Sequence, residues 1–150
     1  MLPEKEKIIE EMNRILDDRL GQLRQSIQDL EQSQESETKS SAGDKYETGR
    51  EMVQLELGKY QGQVEKALAQ KKALAQINAQ HQYDEVSIGS LVKTNQGIYF
   101  ISTALGKIHI GDTNCFAISL ASPIGQVLNG SKAGQSVSFQ AKTIMIESVQ

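Results

Sequence analysis

Two ladders of apolar residues, each rising in steps of seven, face each other across a short polar break. Ile9, Leu16, Leu23 and Leu30 form the first, with Met12, Leu20 and Ile27 on the other side of the same stripe. Val53, Tyr60, Ala67, Leu74 and His81 form the second, with Leu57 and Val64 between them. A seven-residue apolar repeat with charged residues elsewhere is the seam of a coiled coil. The ladders mirror each other about Ser41 and Ala42, so a chain that folds back there brings apolar rungs to matching heights, for example Leu23 beside Tyr60. Parallel pairing with a second chain would not require this symmetry. The pattern predicts an antiparallel helical hairpin over residues 1–82. Two helices of about 30 residues would each reach on the order of 45 Å.

The tip falls near residues 40–49, Ser-Ser-Ala-Gly-Asp-Lys-Tyr-Glu-Thr-Gly, a stretch with nothing to bury. Pro3 suits a first helical turn, where its missing N–H costs nothing. Gly58 and Gly62 each weaken the second helix by about 1 kcal/mol relative to Ala, and Lys71 and Asn78 fall on its stripe. Such a hairpin is expected to lean on a second domain at its base.

That domain begins where the charge thins out. Residues 1–82 hold 15 of the 19 acidic and 12 of the 16 basic residues, and residues 83–150 hold four of each. From Val86 the pattern becomes short β-like runs between turn residues. The expected strands are Val86–Lys93, Ile98–Thr103, Lys107–Ile110, Cys115–Leu120, Ser136–Ala141 and Thr143–Val149. Asn95-Gln96-Gly97 and Gly111-Asp112-Thr113-Asn114 read as turns. Ser122 to Gly130 reads as one short helix, with Ser122 as N-cap, Pro123 in the first turn and Gly130 past the end. The expected class is α+β: an N-terminal helical hairpin, then residues 83–150 as a small antiparallel β domain with one helix.

Several function classes fall away. No apolar run approaches the roughly 20 residues of a membrane span, and the charged N-terminus has no apolar export region. A lone Cys115 excludes an internal disulfide and fits the reducing cytoplasm. A net charge of −3 argues against a general nucleic-acid coat. No CxxC, HExxH, GxSxG, P-loop or dinucleotide fingerprint is present. Cys115 sits in an apolar strand and reads as a small buried thiol. His81 and His109 read as structural.

The remaining chemistry is at the tip, where Asp44 and Glu47 stand three residues apart. The spacing matches a capping box, with Asp44 capping the second helix and Glu47 reaching back. It also matches a small oxygen donor set for Mg²⁺, which often takes only one or two carboxylates. Two carboxylates do not make a nuclease site unaided, but they can complete one that another protein supplies. Lys39, Lys45 and Arg50 lie near the pair; contact with RNA or polymerase is one reading, and a solvated mixed-charge surface outweighs it for each of them.

Two stretches resemble the Gre family of bacterial transcript-cleavage factors. Ser122-Pro123-Ile124-Gly125-Gln126-Val127-Leu128-Asn129-Gly130-Ser131-Lys132-Ala133-Gly134-Gln135-Ser136-Val137 is similar to the family signature S-P-[IL]-[GA]-x-A-[IL]-[IL]-G-[KR]-x-x-G-D-x-V. Gly43-Asp44-x-x-Glu47 between two long helices is similar to its tip G-D-x-S-E-N. The resemblance implies a coiled-coil hairpin joined to an FKBP-like C-terminal domain, acting as a cytoplasmic monomer that binds bacterial RNA polymerase. It implies docking through the C-terminal domain, with Ser122, Pro123, Ile124 and Gly125 as partner-binding residues. The hairpin would enter the secondary channel, where Asp44 and Glu47 assist the polymerase's Mg²⁺ in cleaving the 3′ end of backtracked RNA. The protein would then be an accessory factor for the polymerase's own endonuclease activity, with no organic cofactor, no sequence-specific DNA binding and no membrane. Tyr46, Thr48 and Val127 depart from the family's Ser, Asn and Ala. The departures leave two alternatives, a channel-binding regulator that does not promote cleavage and a generic coiled-coil interaction module. Prolyl isomerase activity would need a deep aromatic pocket, and residues 84–150 offer only Tyr99, Phe100, Phe116 and Phe139.

Overall fold

A computed structural model describes the backbone of residues 2–39 and 43–150, and the side chains of 2–35 and 48–150. The elements run α1 (Lys5–Lys39), α2 (Gly43–Ala75), β1 (Leu91–Thr94), β2 (Gly97–Ile101), β3 (Gly106–Ile110), β4 (Thr113–Ile118), α3 (Pro123–Leu128), β5 (Ser136–Phe139) and β6 (Lys142–Val149). The expected two long helices, β sheet and single short helix are all present. The chain separates into two compact units, residues 15–71 and residues 1–14 with 72–150. The sequence pattern placed its boundary at Gln82 and Tyr83. The physical reason for the difference is that the first turns of α1 pack with the chain after α2. Lys5 Nζ donates to the His81 carbonyl at 2.9 Å, and Met12 Sδ accepts from Ser102 Oγ at 3.9 Å.

In the helical unit, α1 and α2 touch through an ion pair between Asp17 and Lys71 and through Gln54 Nε2 donating to Gln34 Oε1 at 3.4 Å. Both pairs are centred in sequence on residue 44, two to three residues beyond the mirror at Ser41 and Ala42. Lys71, which interrupts the apolar stripe, is half-buried and finds its carboxylate across the seam. Along α1 the fully or nearly fully buried residues are Lys5, Ile8, Met12, Leu16, Leu20 and Leu23. Ile8, not the heptad-predicted Ile9, carries the first apolar rung, because steps of three and four follow a 3.6-residue helix more closely than a strict seven does. On α2, Leu57, Ala67 and Leu74 are buried. His81 lies beyond the helix and is exposed.

The six strands form one sheet in the order β3-β4-β2-β1-β6-β5. It is mixed, which corrects the antiparallel expectation. β2 and β4 run parallel, with Tyr99 opposite Phe116 and Ile101 opposite Ile118, while the remaining pairings are antiparallel. Residues 102–105 carry the chain past the place beside β2. The β3–β4 hairpin then returns β4 into it. Sequence-adjacent strands usually pair, and here they do not.

Both faces of the sheet are covered. Val86, Val92, Ile101, Leu128, Ile144 and Ile146 form one buried cluster, against which Ile124, Val137 and Phe139 pack. The opposite face holds a buried row in register, Leu91, Phe100 and Ala117, continued by Cys115 and Ile108. Burying a side chain of this size contributes about 1.5–3 kcal/mol. The turn at Asn95-Gln96 closes as expected, with Gly97 at φ +142° and Thr94 Oγ1 donating to the Gly97 carbonyl at 2.8 Å.

Candidate functional site

The segment around α3 is built from the cap inward. Ser122 is extended, and its Oγ accepts from the Gly125 N–H at 3.1 Å while donating to the Ser119 carbonyl at 2.7 Å. One hydroxyl thus satisfies a helix-end donor and a loop acceptor together. Pro123 occupies the first turn and is exposed. Ile124 is half-buried against the core cluster. Gly125 is buried, and an added Cβ would stand 2.1 Å from the Ser119 carbonyl oxygen and 2.9 Å from Leu120 Cα. Leu128 closes the helix inside the core. Gly130, at φ +78°, begins the return, and its N–H donates to the Val86 carbonyl at 2.9 Å.

Of the four expected partner-binding residues, Ser122, Ile124 and Gly125 therefore have capping or packing jobs, and Pro123 alone presents its side chain freely. The Gre-like signature admits Gly or Ala at position 125. In this chain the 119–121 turn lies too close for Ala.

Asp44 falls in the first turn of α2, which begins at Gly43, and Glu47 at the start of the second. The capping-box and metal readings of Asp44 and Glu47 both turn on side chains outside the described residues. The side chains of both lie outside the described residues, as do those of Lys39, Lys45 and Tyr46. Residues three apart on a helix share a face. As a donor set, two carboxylates suit Mg²⁺ while leaving most of its octahedron to other ligands. Among the described residues, no group of three His, Cys, Asp or Glu side chains could hold a metal.

Cys115 is fully buried, and burial pushes its thiol up to about 12. At neutral pH it stays protonated and is not a nucleophile. His109 Nδ1 lies 2.5 Å from Asn114 Oδ1, pinning the β3–β4 hairpin. Phe100 is fully buried, and Tyr99 lies 5.8 Å from Phe116, tilted by 32°. Surface hollows of about 570, 260 and 420 Å³ are lined by none of Tyr99, Phe100, Phe116 or Phe139. Tyr99 and Phe139 pack against the core cluster of the sheet. No described helix is long and apolar enough to cross a membrane.

Sequence reasoning missed Lys5. It is only 6 % exposed, donates to the His81 carbonyl and lies 4.7 Å from the Tyr83 ring centroid. Its place at an interior step of α1's stripe, three residues before Ile8, was the available sign.

No protein-family model matches the chain, and no curated protein matches it in sequence. Among solved structures it is similar to the GreA factor homolog 1 (Gfh1) protein of Thermus thermophilus, with a TM-score of 0.36 and 16 % identity over 91 % of this chain and 93 % of that one. It is also similar to a structure of the transcription factor Gfh1, with a TM-score of 0.35 and 18 % identity over 93 % of this chain and 92 % of the other.

Proposed function

We propose that the chain is a Gre-type factor that binds bacterial RNA polymerase and acts through its helical tip. The observation that carries this reading is the position of Asp44 and Glu47. They stand in the first five residues of α2, and α1 and α2, of 35 and 33 residues, touch through Asp17–Lys71 and Gln34–Gln54; a fold-back between the two helices would put both carboxylates at its tip. Helices of that length reach about 50 Å, enough for a narrow tip to enter a channel. The chain's resemblance to the Gre signature at Ser122–Val137 supports docking through the sheet unit. There Pro123 is the exposed contact, while Ser122, Ile124 and Gly125 shape the surface from beneath.

In this reading Asp44 and Glu47 present two carboxylates on one helix face to a Mg²⁺ held mainly by the polymerase and the transcript. The ion supplies water activation and charge neutralisation at the scissile phosphate. The positive end of α2 favours a carboxylate in its first turn, so Asp44 also steadies the helix start in this reading. In this reading the nucleophilic water and the proton transfers belong to the polymerase's own site. Tyr46 and Thr48, which depart from the family tip, favour a second reading in which the factor occupies the channel without promoting cleavage.

The test is RNA cleavage by a stalled, backtracked complex of the cognate polymerase. Asp44→Asn with Glu47→Gln removes charge with little change of size. The double variant is expected to compete with the wild type for polymerase yet to stimulate no cleavage. If the wild type competes for the polymerase but gives no cleavage at any Mg²⁺ concentration, the regulator reading replaces the catalytic one.

A further inference from the structure

We infer that Lys5 is a positioning latch: its ammonium, held by the His81 carbonyl and the Tyr83 ring, fixes the segment between α2 and β1 against the first turn of α1. Lysine is almost never buried unless it is paired. Lys5 is buried, and among the described residues it has no carboxylate in ion-pair contact. Its partners are the His81 carbonyl at 2.9 Å and the face of Tyr83, 4.7 Å from the ring centroid.

The site is built on both sides of that ammonium. The His81 ring meets the Tyr83 ring edge-on at 4.5 Å, holding the ring that receives the cation. Tyr83 runs back against Gly89, where an added Cβ would stand 2.7 Å from Tyr83 Oη and 3.4 Å from Ile77 Cγ2. Beside Lys5, Gln80 Nε2 donates to Oε1 of Glu6, the next residue of α1. Adjacent residues of α1 thus grip residues 80–83 at two points, and the segment in turn locks onto the turn before β1.

An ammonium on a carbonyl and an aromatic face is directional, since a donor bond has a preferred line and a ring has a preferred face. An apolar side chain of equal length would fill the same space without that direction. Burial disfavours the charged form, so the latch costs folding stability. A residue that costs stability yet sets the register of a segment resembles the buried polar groups that specify one arrangement over near alternatives. That is the role assigned to Lys5.

Lys5→Met, compared with wild type by native-state amide hydrogen exchange, separates register from stability and uses no polymerase, so it is independent of the function proposed above. The Gln80 and His81 amides donate to Asn78 Oδ1 and O at 3.0 and 3.1 Å and report on the held segment. The Val86 and Ile101 amides, bonded to the Ser131 and Ser90 carbonyls, report on the sheet. Loss of a hydrogen bond from a charged donor should lower protection at Gln80 and His81 by about tenfold. Protection at Val86 and Ile101 should stay the same or rise. Unchanged exchange at Gln80 and His81 would overturn the latch, as would an equal fall at all four amides, which would make Lys5 an ordinary packing residue.

Discussion

The same substitution should have opposite signs at two glycines. At Gly125 an alanine Cβ would lie 2.1 Å from the Ser119 carbonyl oxygen, 2.9 Å from Leu120 Cα and 2.9 Å from Ser122 Oγ. Two of these neighbours are backbone, so relief requires α3 to move away from the 119–121 turn. Overpacking of this kind costs about 1–3 kcal/mol, occasionally more. Movement also breaks the Ser122 cap, a further loss of about 1 kcal/mol. Gly125→Ala is therefore expected to cost roughly 2–4 kcal/mol by these two contributions. At Gly58, exposed within α2, nothing stands within 4 Å of the added Cβ. Gly58→Ala should stabilise by up to about 1 kcal/mol, the helix-propensity difference. Urea unfolding followed separately by sheet and helix signals measures both. A Gly125→Ala protein within about 0.5 kcal/mol of wild type, the range of an ordinary surface change, would refute the close-approach argument. The four signature residues would then be free to be read as a docking surface alone.

Three further outcomes follow from particular contacts. Gln140 and Ala141 close the β5–β6 hairpin at φ +49° and +63°, where side chains are strained, so Ala141→Gly should raise the urea midpoint by the equivalent of about 1 kcal/mol. Burial lowers the pKa of Lys5 below its ordinary 10.5, so the folded state gives up that proton at lower pH than the unfolded chain. The cost of the ammonium is complete below the folded value and vanishes as pH rises to 10.5, so wild type should gain stability on Lys5→Met through that alkaline window; a flat difference would contradict the burial argument. Cys115, with its thiol held near 12, should react with a thiol reagent at neutral pH only as fast as the protein opens, and stoichiometric labelling of the folded protein would refute its burial.

What can be read from the sequence alone is local. The turn at Asn95-Gln96-Gly97 and the Ser122-Pro123 start of α3 are legible because their causes lie within three or four residues: a hydroxyl cap, a fixed proline φ, a glycine at positive φ. The lengths of the two helices follow from a repeat sustained over many turns. Asp44 and Glu47 are legible as a spacing, and the chemistry proposed for them rests on that spacing and the family resemblance. Tertiary structure decided what depends on distant partners. Ile8 replaces Ile9 because the buried stripe follows the true helical pitch. The two α1–α2 side-chain contacts, Asp17–Lys71 and Gln34–Gln54, centre on residue 44 and not on the apolar mirror at Ser41 and Ala42. β4 lies parallel to β2 because a four-residue connection leaves a gap that a later hairpin fills. Gly125 is confined by a carbonyl six residues back, and Lys5 meets its partners 76 and 78 positions along the chain. A one-dimensional pattern records how often an apolar residue recurs; it does not record which backbone or ring comes to lie against it.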